Sequence, residues 1–184
     1  MTLREQKTAL RKELISQRKE LLLCGSKYEL DKQIYNKLIA MVDFERYDIF
    51  LCYISTKIEV DTINFINYCF TKGKKVAVPK CTPEKMSFYL IDSLADTEIG
   101  MYGINEPKDF CKKLSYEEMG KGLCLVPALA FNNEGYRIGY GKGYYDKFLS
   151  RFEGETLGLC YSGFIRDDIP TDEFDKRINS VITD

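Results

Sequence analysis

Short apolar runs alternate with helical patterns along most of the chain, and this alternation restricts its possible folds more than any other feature. The runs at 48–54 and Leu123–Val126 are apolar at almost every position. Such runs are typical of parallel strands that are buried on both faces of a sheet. The helical patterns between them supply the crossover connections that parallel strands require. We therefore predict an α/β fold with a mainly parallel sheet.

The predicted elements cover most of the chain. Helices are predicted at 2–23, 26–41, 61–71 and 143–151. Strands are predicted at 48–54, 75–79, Met86–Ile91, Leu123–Val126, 156–160 and 178–183. A chain of 184 residues can bury the core of one domain. No repeat or linker divides it, so we expect a single domain over residues 1–184.

The glycine-rich segment 137–147, RIGYGKGYYDK, is the most distinctive local feature. Glycines at every second position from Gly139 to Gly143 let the backbone turn its N–H groups toward an anion. Arg137 and Lys142 add positive charge, and the helix predicted to follow would favour phosphate at its N-terminus. The spacing matches neither the Walker nor the dinucleotide-binding pattern. The residues alone therefore leave a phosphate site and a plain turn equally open.

The first predicted helix carries two stripes of side chains. The apolar stripe consists of Leu3, Leu10, Leu14 and Leu21. The basic stripe, which borders the apolar one, consists of Arg4, Lys7, Arg11 and Arg18. Like charges one turn apart cost about 0.2–0.5 kcal/mol in an isolated helix, a cost that a bound anion would offset. A solvated charged face is the competing interpretation, and the stripe alone favours it slightly.

Composition excludes several classes of function. The chain has no histidine, which removes His-dependent triads, imidazole bases and His-ligated metals. Its 27 basic and 28 acidic residues nearly balance, so nothing drives the whole chain toward nucleic acid or an anionic membrane. No apolar run approaches the roughly 20 residues of a membrane span. We expect neither a nucleic-acid partner nor a membrane.

The seven cysteines indicate the compartment. No Cys-x-x-Cys pair occurs, so neither a structural zinc site nor a disulfide framework is expected. Most of the cysteines lie in apolar surroundings and are interpreted as small core residues. With no signal-peptide pattern at the N-terminus, a cytoplasmic protein is predicted.

Residues 126–146, VPALAFNNEGYRIGYGKGYYD, resemble the signature of the 5-formyltetrahydrofolate cyclo-ligase family, the methenyltetrahydrofolate synthetases. The family pattern is roughly VPGxAFD, two variable residues, then GxRLGxGxGYYD. The chain departs from it at Ala128, Asn132 and Ile138, and Phe174 stands where many members have His. Other parts follow in family order: Lys7, Arg11, Glu59, the segment 103–107 and Asp175. The resemblance thus extends over nearly the whole chain.

This resemblance implies a three-layer α/β/α domain like that of ribose-phosphate isomerases and CoA transferases. It also implies a reaction in which 5-formyltetrahydrofolate and ATP, with Mg²⁺, give 5,10-methenyltetrahydrofolate, ADP and phosphate. A phosphorylated formyl group would be the intermediate, since phosphorylation converts a poor leaving oxygen into a good one. The folate, with or without a polyglutamate tail, would be the small-molecule partner, and a monomer is expected.

The resemblance also implies roles for particular residues. The catalytic residues would be Arg137 and Lys7. The nucleotide would be bound by Lys7, Arg11, Arg137, Gly139, Tyr140, Gly141, Lys142, Gly143, Tyr144 and Tyr145. The folate would contact Ile54, Glu59 and Tyr144, a carboxylate at position 59 being suited to the paired N–H donors of an amino-pyrimidinone. Asp146 and Asp175 would hold Mg²⁺.

Each of these residues also has an ordinary structural interpretation. Arg137 could form a surface salt bridge, and Asp146 could stabilise a helix N-terminus. Glu59 could be a loop acid, and Asp175 part of a solvated acidic run. Two other functions remain open. One is a non-catalytic module that binds a phosphorylated metabolite, and the other is a sugar-phosphate isomerase, which would not need ATP.

Overall fold

The computed structural model describes residues 1–100, 103–120 and 122–184 of the chain. The helices are α1 (Leu3–Leu23), α2 (Lys27–Met41), α3 (Ile63–Thr71), α4 (Tyr116–Met119) and α5 (Tyr144–Leu149). The strands are β1 (Ile49–Leu51), β2 (Lys75–Cys81), β3 (Met86–Ile91), β4 (Thr97–Ile99), β5 (Asn105–Pro107), β6 (Leu123–Val126), β7 (Ala130–Phe131), β8 (Arg137–Ile138), β9 (Glu155–Leu159) and β10 (Ser180–Ile182).

A six-stranded sheet with the order β10-β9-β6-β1-β2-β3 forms the centre of the fold. All neighbouring strands are parallel except β2 and β3, which are antiparallel. The prediction of a mainly parallel sheet is therefore confirmed. Because the parallel strands share one direction, the chain segments that leave their carboxyl ends lie at the same edge of the sheet.

Helices cover both faces of this sheet. Phe50 on β1 packs edge-on against Phe65 of α3, with ring centroids 5.6 Å apart. Phe88 on β3 packs against Phe148 of α5, with centroids 4.8 Å apart. The register joins Phe50 to Val76 and Val76 to Ile91, so Phe88, three residues before Ile91, points to the opposite face. The three-layer α/β/α arrangement predicted for the chain is present.

The first predicted strand is shorter than its apolar run suggests. It ends at Leu51, although 52–54 remain buried. Beyond it, the Thr62 hydroxyl donates to the Tyr53 carbonyl at 2.6 Å and accepts the Ser55 N–H at 3.2 Å. A side chain thus replaces the neighbouring strand as hydrogen-bond partner, which a pattern of hydrophobicity does not reveal.

Two short hairpins, β4–β5 and β7–β8, were not predicted because their strands are too short to show alternation. The turn between β7 and β8 contains Asn132, whose Oδ1 accepts the N–H groups of Glu134 and Tyr136 at 3.1 and 2.8 Å. Gly135 follows with φ +87°, and an added Cβ would lie 2.6 Å from the Ile178 carbonyl oxygen. The signature described above has aspartate at this position. Asn132 supplies the same accepting oxygen, so the substitution preserves the turn.

The cysteines confirm the sequence interpretation. Five are buried (Cys52, Cys69, Cys111, Cys124 and Cys160), and all seven are free thiols. Burial raises the pKa of Cys69 to about 12, so this thiol stays protonated. Among the described residues, no helix has the length and apolar composition needed to cross a membrane.

Candidate active site

A cleft of about 1480 Å³ opens at the carboxyl edge of the sheet, between α1, the glycine-rich loop and the segment 172–176. Every residue assigned a binding or catalytic role from the sequence lines it: Lys7, Arg11, Ile54, Glu59, Arg137, Gly139, Tyr140, Gly141, Lys142, Gly143, Tyr144, Tyr145, Asp146 and Asp175. Side chains from distant parts of the chain therefore meet in one place. Their individual roles toward a ligand stay predictions.

Helix α1 holds the glycine-rich loop in position. The loop leaves β8 after Ile138 and enters α5 through Gly143, which has φ +67°. Arg11 of α1 donates from Nε to the Gly139 carbonyl at 2.9 Å. Its guanidinium also lies against Gly141, where an added Cβ would be 3.1 Å from Cζ. A cation thus stands directly beside the bend of the loop.

Gly141→Ala should disturb this bend. Gly141 has φ +92°, a conformation that costs an L-residue about 1–2 kcal/mol, and the new methyl group would also press on Arg11. We expect that loss in the free energy of unfolding, measured by urea denaturation. Gly163→Ala is the matched control, because nothing lies within 4 Å of its added Cβ. Equal stability of the two variants would contradict this account of the loop.

Lys7 forms a nearly buried ion-pair cluster with two aspartates. Its Nζ donates to Asp172 Oδ2 at 2.7 Å and to Asp175 Oδ2 at 2.6 Å. Burial disfavours the ammonium, but the hydrogen bonds to both carboxylates outweigh it and raise the pKa of Lys7. The same contact lowers the pKa of Asp172. Lys7 is therefore charged and held in one position in the wall of the cleft.

Arg137 and Asp146 form a second ion pair in the cleft. Arg137 Nη2 donates to Asp146 Oδ1 at 2.7 Å, and Nη1 donates to the Lys176 carbonyl at 2.9 Å. The Arg137 side chain is only 5% exposed, against 27% for Asp146. Arg137 therefore does form a salt bridge, but its side chain is buried and the pair is not a surface salt bridge. The pair instead connects β8, α5 and the segment 172–176 within the cleft wall.

The loop that carries Glu59 is fixed at several points. Glu59 is buried, and its Oε2 accepts the Thr56 N–H at 2.7 Å. The Glu59 carbonyl accepts a hydrogen bond from the Tyr161 hydroxyl at 3.2 Å, and Tyr53 donates to the Val60 carbonyl at 3.1 Å. Such a loop holds its carboxylate ready before any ligand arrives. An ordinary solvated loop acid would not be bound in this way.

The tyrosines of the signature differ in their surroundings. The Tyr144 hydroxyl donates to the Thr82 carbonyl at 2.8 Å, which ties α5 to the end of β2. Burial raises the pKa of Tyr145 well above its ordinary value, and the negative charge of Glu59 adds to the effect. Within the described residues, the buried hydroxyl of Tyr145 has no hydrogen-bond partner.

Arg18 was not recognised as a site-forming residue from the sequence. It is 1% exposed and donates to the carbonyls of Ile58, Ala128 and Leu129. Its guanidinium also lies 5.0 Å from the centre of the Tyr161 ring. Arg18 thus joins the segments that follow β1, β6 and β9.

The interpretation of the basic stripe as a solvated face is wrong for Lys7 and Arg18, which are buried. The position of the basic stripe of α1 directly beside its apolar stripe was the one sign in the sequence that some of these cations are buried.

Two acidic residues of the cleft were also missed. Asp172 was regarded only as part of an acidic run, yet it pairs with Lys7. Glu106 on β5 is buried, and its Oε1 accepts the Cys81 N–H at 3.1 Å. Glu106 lies in the segment 103–107 that follows the family order, but no role was assigned to it, and Asp172 belongs to no pattern with distinctive spacing. Only the folded arrangement shows what the two carboxylates contact.

These features define an α/β protein whose parallel sheet carries, at its carboxyl edge, a glycine-lined cleft with converging cations and carboxylates. The profile of the 5-formyltetrahydrofolate cyclo-ligase family matches residues 3–184. The chain belongs to this family, as the signature predicted.

Known relatives agree with this assignment. A Caenorhabditis elegans protein named probable 5-formyltetrahydrofolate cyclo-ligase is 32% identical in an alignment that covers 89% of this chain and 87% of the relative. The mouse 5-formyltetrahydrofolate cyclo-ligase is 26% identical and covers 99% of this chain and 95% of its own. The solved structure of the Aquifex aeolicus 5,10-methenyltetrahydrofolate synthetase has a TM-score of 0.81 at 29% identity, covering 96% of this chain and 89% of its own.

Proposed function

We propose that this protein is an enzyme that uses Mg·ATP to convert 5-formyltetrahydrofolate to 5,10-methenyltetrahydrofolate, with release of ADP and phosphate. The observation that carries the proposal is the meeting of the glycine-rich loop, Lys7, Arg11 and Arg137 in the same cleft as Glu59. One end of the cleft suits a triphosphate, and the other suits the N–H edge of a pterin. Membership in the family supports both assignments.

The nucleotide end has the charge and shape that phosphates require. Lys7 and Arg11 flank the loop, and an added Cβ at Gly139 or Gly143 would meet nothing within 4 Å. The backbone of the loop is therefore open to the cleft, where its N–H groups can approach phosphate oxygens. Phosphoryl transfer depends mainly on such positioning and charge neutralisation. It needs no histidine or covalent nucleophile, which agrees with the composition.

The residues present also fit a magnesium ion that arrives with the nucleotide. No group of three or more acidic or cysteine side chains among the described residues could hold an ion unaided. Mg²⁺ in nucleotide sites is held by one or two carboxylates together with phosphates and water. We assign Asp146 as the carboxylate ligand, since it lines the cleft beside the loop. Asp175 also lines the cleft and pairs with a cation, Lys7, as Asp146 pairs with Arg137. The metal role of either carboxylate stays a prediction.

The proposed reaction has two steps. The formyl oxygen of the substrate attacks the γ-phosphorus of ATP, and ADP leaves. N10 then attacks the activated carbon and loses its proton, the ring closes, and the oxygen departs as phosphate. Lys7, Arg11 and Arg137 would stabilise the charge that develops on the transferred phosphoryl group. Glu59 would hold the pterin so that its formyl group faces the loop.

The direct test is to mix purified protein with 5-formyltetrahydrofolate and Mg·ATP and to follow the absorbance of the methenyl product. The proposal requires product only when both ATP and Mg²⁺ are present, with ADP in equal amount. Folded protein that makes no product would favour the binding-module alternative. Turnover of a sugar phosphate without ATP would favour the isomerase.

Asp146→Asn should raise the Mg²⁺ concentration for half-maximal activity about tenfold, because the loss of one ionic ligand costs roughly 1.4 kcal/mol. Asparagine keeps the size of the side chain and an oxygen for the Lys176 N–H, which now donates to Asp146 at 3.2 Å. The measurement is a magnesium titration at saturating ATP. Asp175→Asn is titrated in the same way for comparison, since Asp175 is the other carboxylate predicted to hold Mg²⁺ and it pairs with Lys7. An unchanged titration for Asp146→Asn would remove this residue from the metal site.

Monomeric state, cytoplasmic location, use of polyglutamylated folate and independence from nucleic acid and membranes stay predictions from the sequence. The near balance of charges supports only the last of these, and the cysteines support the cytoplasmic location.

A further inference from the structure

Arg18 is a buried cation whose partners are backbone carbonyls and aromatic rings. Among the residues that the structure describes, its guanidinium forms no ion pair. Burying a charge without a counter-ion is costly, and well-packed apolar side chains can often replace buried ions without loss of stability. A role in packing alone therefore does not account for an arginine at this position.

The guanidinium of Arg18 binds two loops at once. Nη1 donates to the Ile58 carbonyl at 3.3 Å, in the loop between β1 and α3 that carries Glu59. Nη2 donates to the carbonyls of Leu129 at 2.7 Å and Ala128 at 3.1 Å, in the segment between β6 and β7. A planar group with five N–H donors can make all these bonds from one fixed orientation. Arg18 therefore fixes the two loops relative to each other.

The segment at Leu129 in turn holds the glycine-rich loop. The Leu129 N–H donates to the Ile138 carbonyl at 2.8 Å, and the glycine-rich loop begins at the next residue, Gly139. Arg11, which lies two turns before Arg18 on α1, donates to the Gly139 carbonyl at 2.9 Å. The same helix thus holds the glycine-rich loop through two arginines, and the second arginine also holds the loop at the other end of the cleft.

The reacting atoms in the proposed reaction come from these two ends of the cleft. The formyl oxygen of the folate must approach the γ-phosphorus of the nucleotide roughly in line with the bond that breaks. A displacement of about 1 Å can lower the rate of such a step about 100-fold, even when it arises far from the reacting atoms. The spacing between the two loops is therefore a property on which turnover depends.

We propose that Arg18 is a positioning residue that sets the spacing between the nucleotide end and the folate end of the cleft. Lys7 and Arg11 of the same helix line the cleft, whereas Arg18 is not among the described residues that line it. Arg18 thus acts on both substrates through the loops that hold them. This inference rests on the proposed function and adds a residue that touches neither substrate.

Arg18→Lys and Arg18→Gln test this role. Lysine keeps the charge without the planar fork, and glutamine keeps two N–H donors without the charge. We expect kcat for methenyl formation to fall about 10- to 100-fold in both variants, because the two loops are no longer joined by one rigid group. All rates are measured per folded protein, below the unfolding transition of each variant.

Binding of each substrate alone is the second measurement. Titration calorimetry gives the affinity for 5-formyltetrahydrofolate, and separately for Mg²⁺ with a non-hydrolysable ATP analogue. Both affinities should stay within about threefold of the wild type, since the groups assigned to each substrate are unchanged. The loop of Glu59 is still held by Tyr161 and Tyr53, and the glycine-rich loop is still held by Arg11.

Leu38→Ala controls for a simple loss of stability. Leu38 is buried in α2 and is not among the described residues that line the cleft. Truncation of a buried leucine destabilises a protein strongly, so this variant matches the Arg18 variants in lowering the unfolding temperature. Its kcat should equal that of the wild type below the transition.

A fall in kcat with both affinities retained, in at least one folded Arg18 variant, supports the proposal. Wild-type kcat in both variants overturns it, as does a fall that is matched by weaker binding of one substrate, since Arg18 would then serve one end alone. An equal fall in Leu38→Ala, or failure of both Arg18 variants to fold, also overturns it and leaves Arg18 a purely structural residue.

The wild type distinguishes failure of this inference from failure of the proposed function. If the wild type makes no methenyl product from 5-formyltetrahydrofolate and Mg·ATP, the proposed function is wrong and the inference fails with it. If the wild type is active and both Arg18 variants match its kcat, only the positioning role is wrong.

Discussion

Arg137→Ala is expected to lower kcat/KM for Mg·ATP about 100- to 1000-fold, the range seen when one preorganised donor to a developing charge is removed. Arg137 is held rigidly by Asp146 and by the Lys176 carbonyl, so its planar fork is oriented before the nucleotide binds. The measurement is the steady-state rate of methenyl formation at varied ATP. Near-normal activity would remove Arg137 from the mechanism.

The variant is also expected to lose about 1–3 kcal/mol of stability, because Asp146 loses its cation and the Lys176 carbonyl loses the Arg137 donor. Activity must therefore be measured below the unfolding transition of the variant. Arg166→Ala is the matched control: this arginine also forms ion pairs, with Asp168 and Glu13, but does not line the cleft. Arg137→Lys keeps the charge without the fork, and an intermediate rate is expected for it.

Glu59→Gln is expected to raise the KM for 5-formyltetrahydrofolate about 10- to 100-fold while changing the KM for Mg·ATP by no more than about twofold. Hydrogen bonds to a charged group contribute about 1.5–3 kcal/mol, and each 1.4 kcal/mol corresponds to a factor of ten. Glutamine keeps the shape of the side chain but offers an N–H group to a ligand that itself donates. The measurement is a pair of substrate titrations, one for each substrate.

Glu118→Gln provides the control for this substitution, since Glu118 pairs with Lys112 on the surface and glutamine is accepted at its position in the first turn of α4. If Glu59→Gln raised the KM for ATP as much as that for the folate, the assignment of the two ends of the cleft would have to be abandoned.

The six strands of the central sheet could be located from short, largely apolar runs, but their order in the sheet could not be predicted. Met86–Ile91 and Leu123–Val126 have the predicted bounds. The hairpins β4–β5 and β7–β8 could not be predicted, since a strand of two or three residues has no measurable period. The turn at Asn132 and Gly135 is stabilised by the Asn132 side chain and by a backbone hydrogen bond from the distant Ile178 N–H to the Gly135 carbonyl. No local pattern contains this second contact.

For the candidate site, the identities of the residues were accessible and their partners were not. The glycine spacing and the signature identified Arg137 and Asp146 as residues of one site, but their ion pair was not expected. Lys7 was assigned to the nucleotide, whereas its contacts with Asp172 and Asp175 depend on α1 meeting a segment more than a hundred and sixty residues away. Pairings of this kind depend on how the layers pack.

By itself, the sequence determined the α/β class, the family and a chemistry without histidine. These follow from periodicity, local motifs and composition, which are properties of neighbouring residues. Only the tertiary structure decided which charges neutralise one another and that Arg18 is buried as a link between three segments. The reason is that burial and hydrogen bonding are set by contacts between elements far apart in the chain.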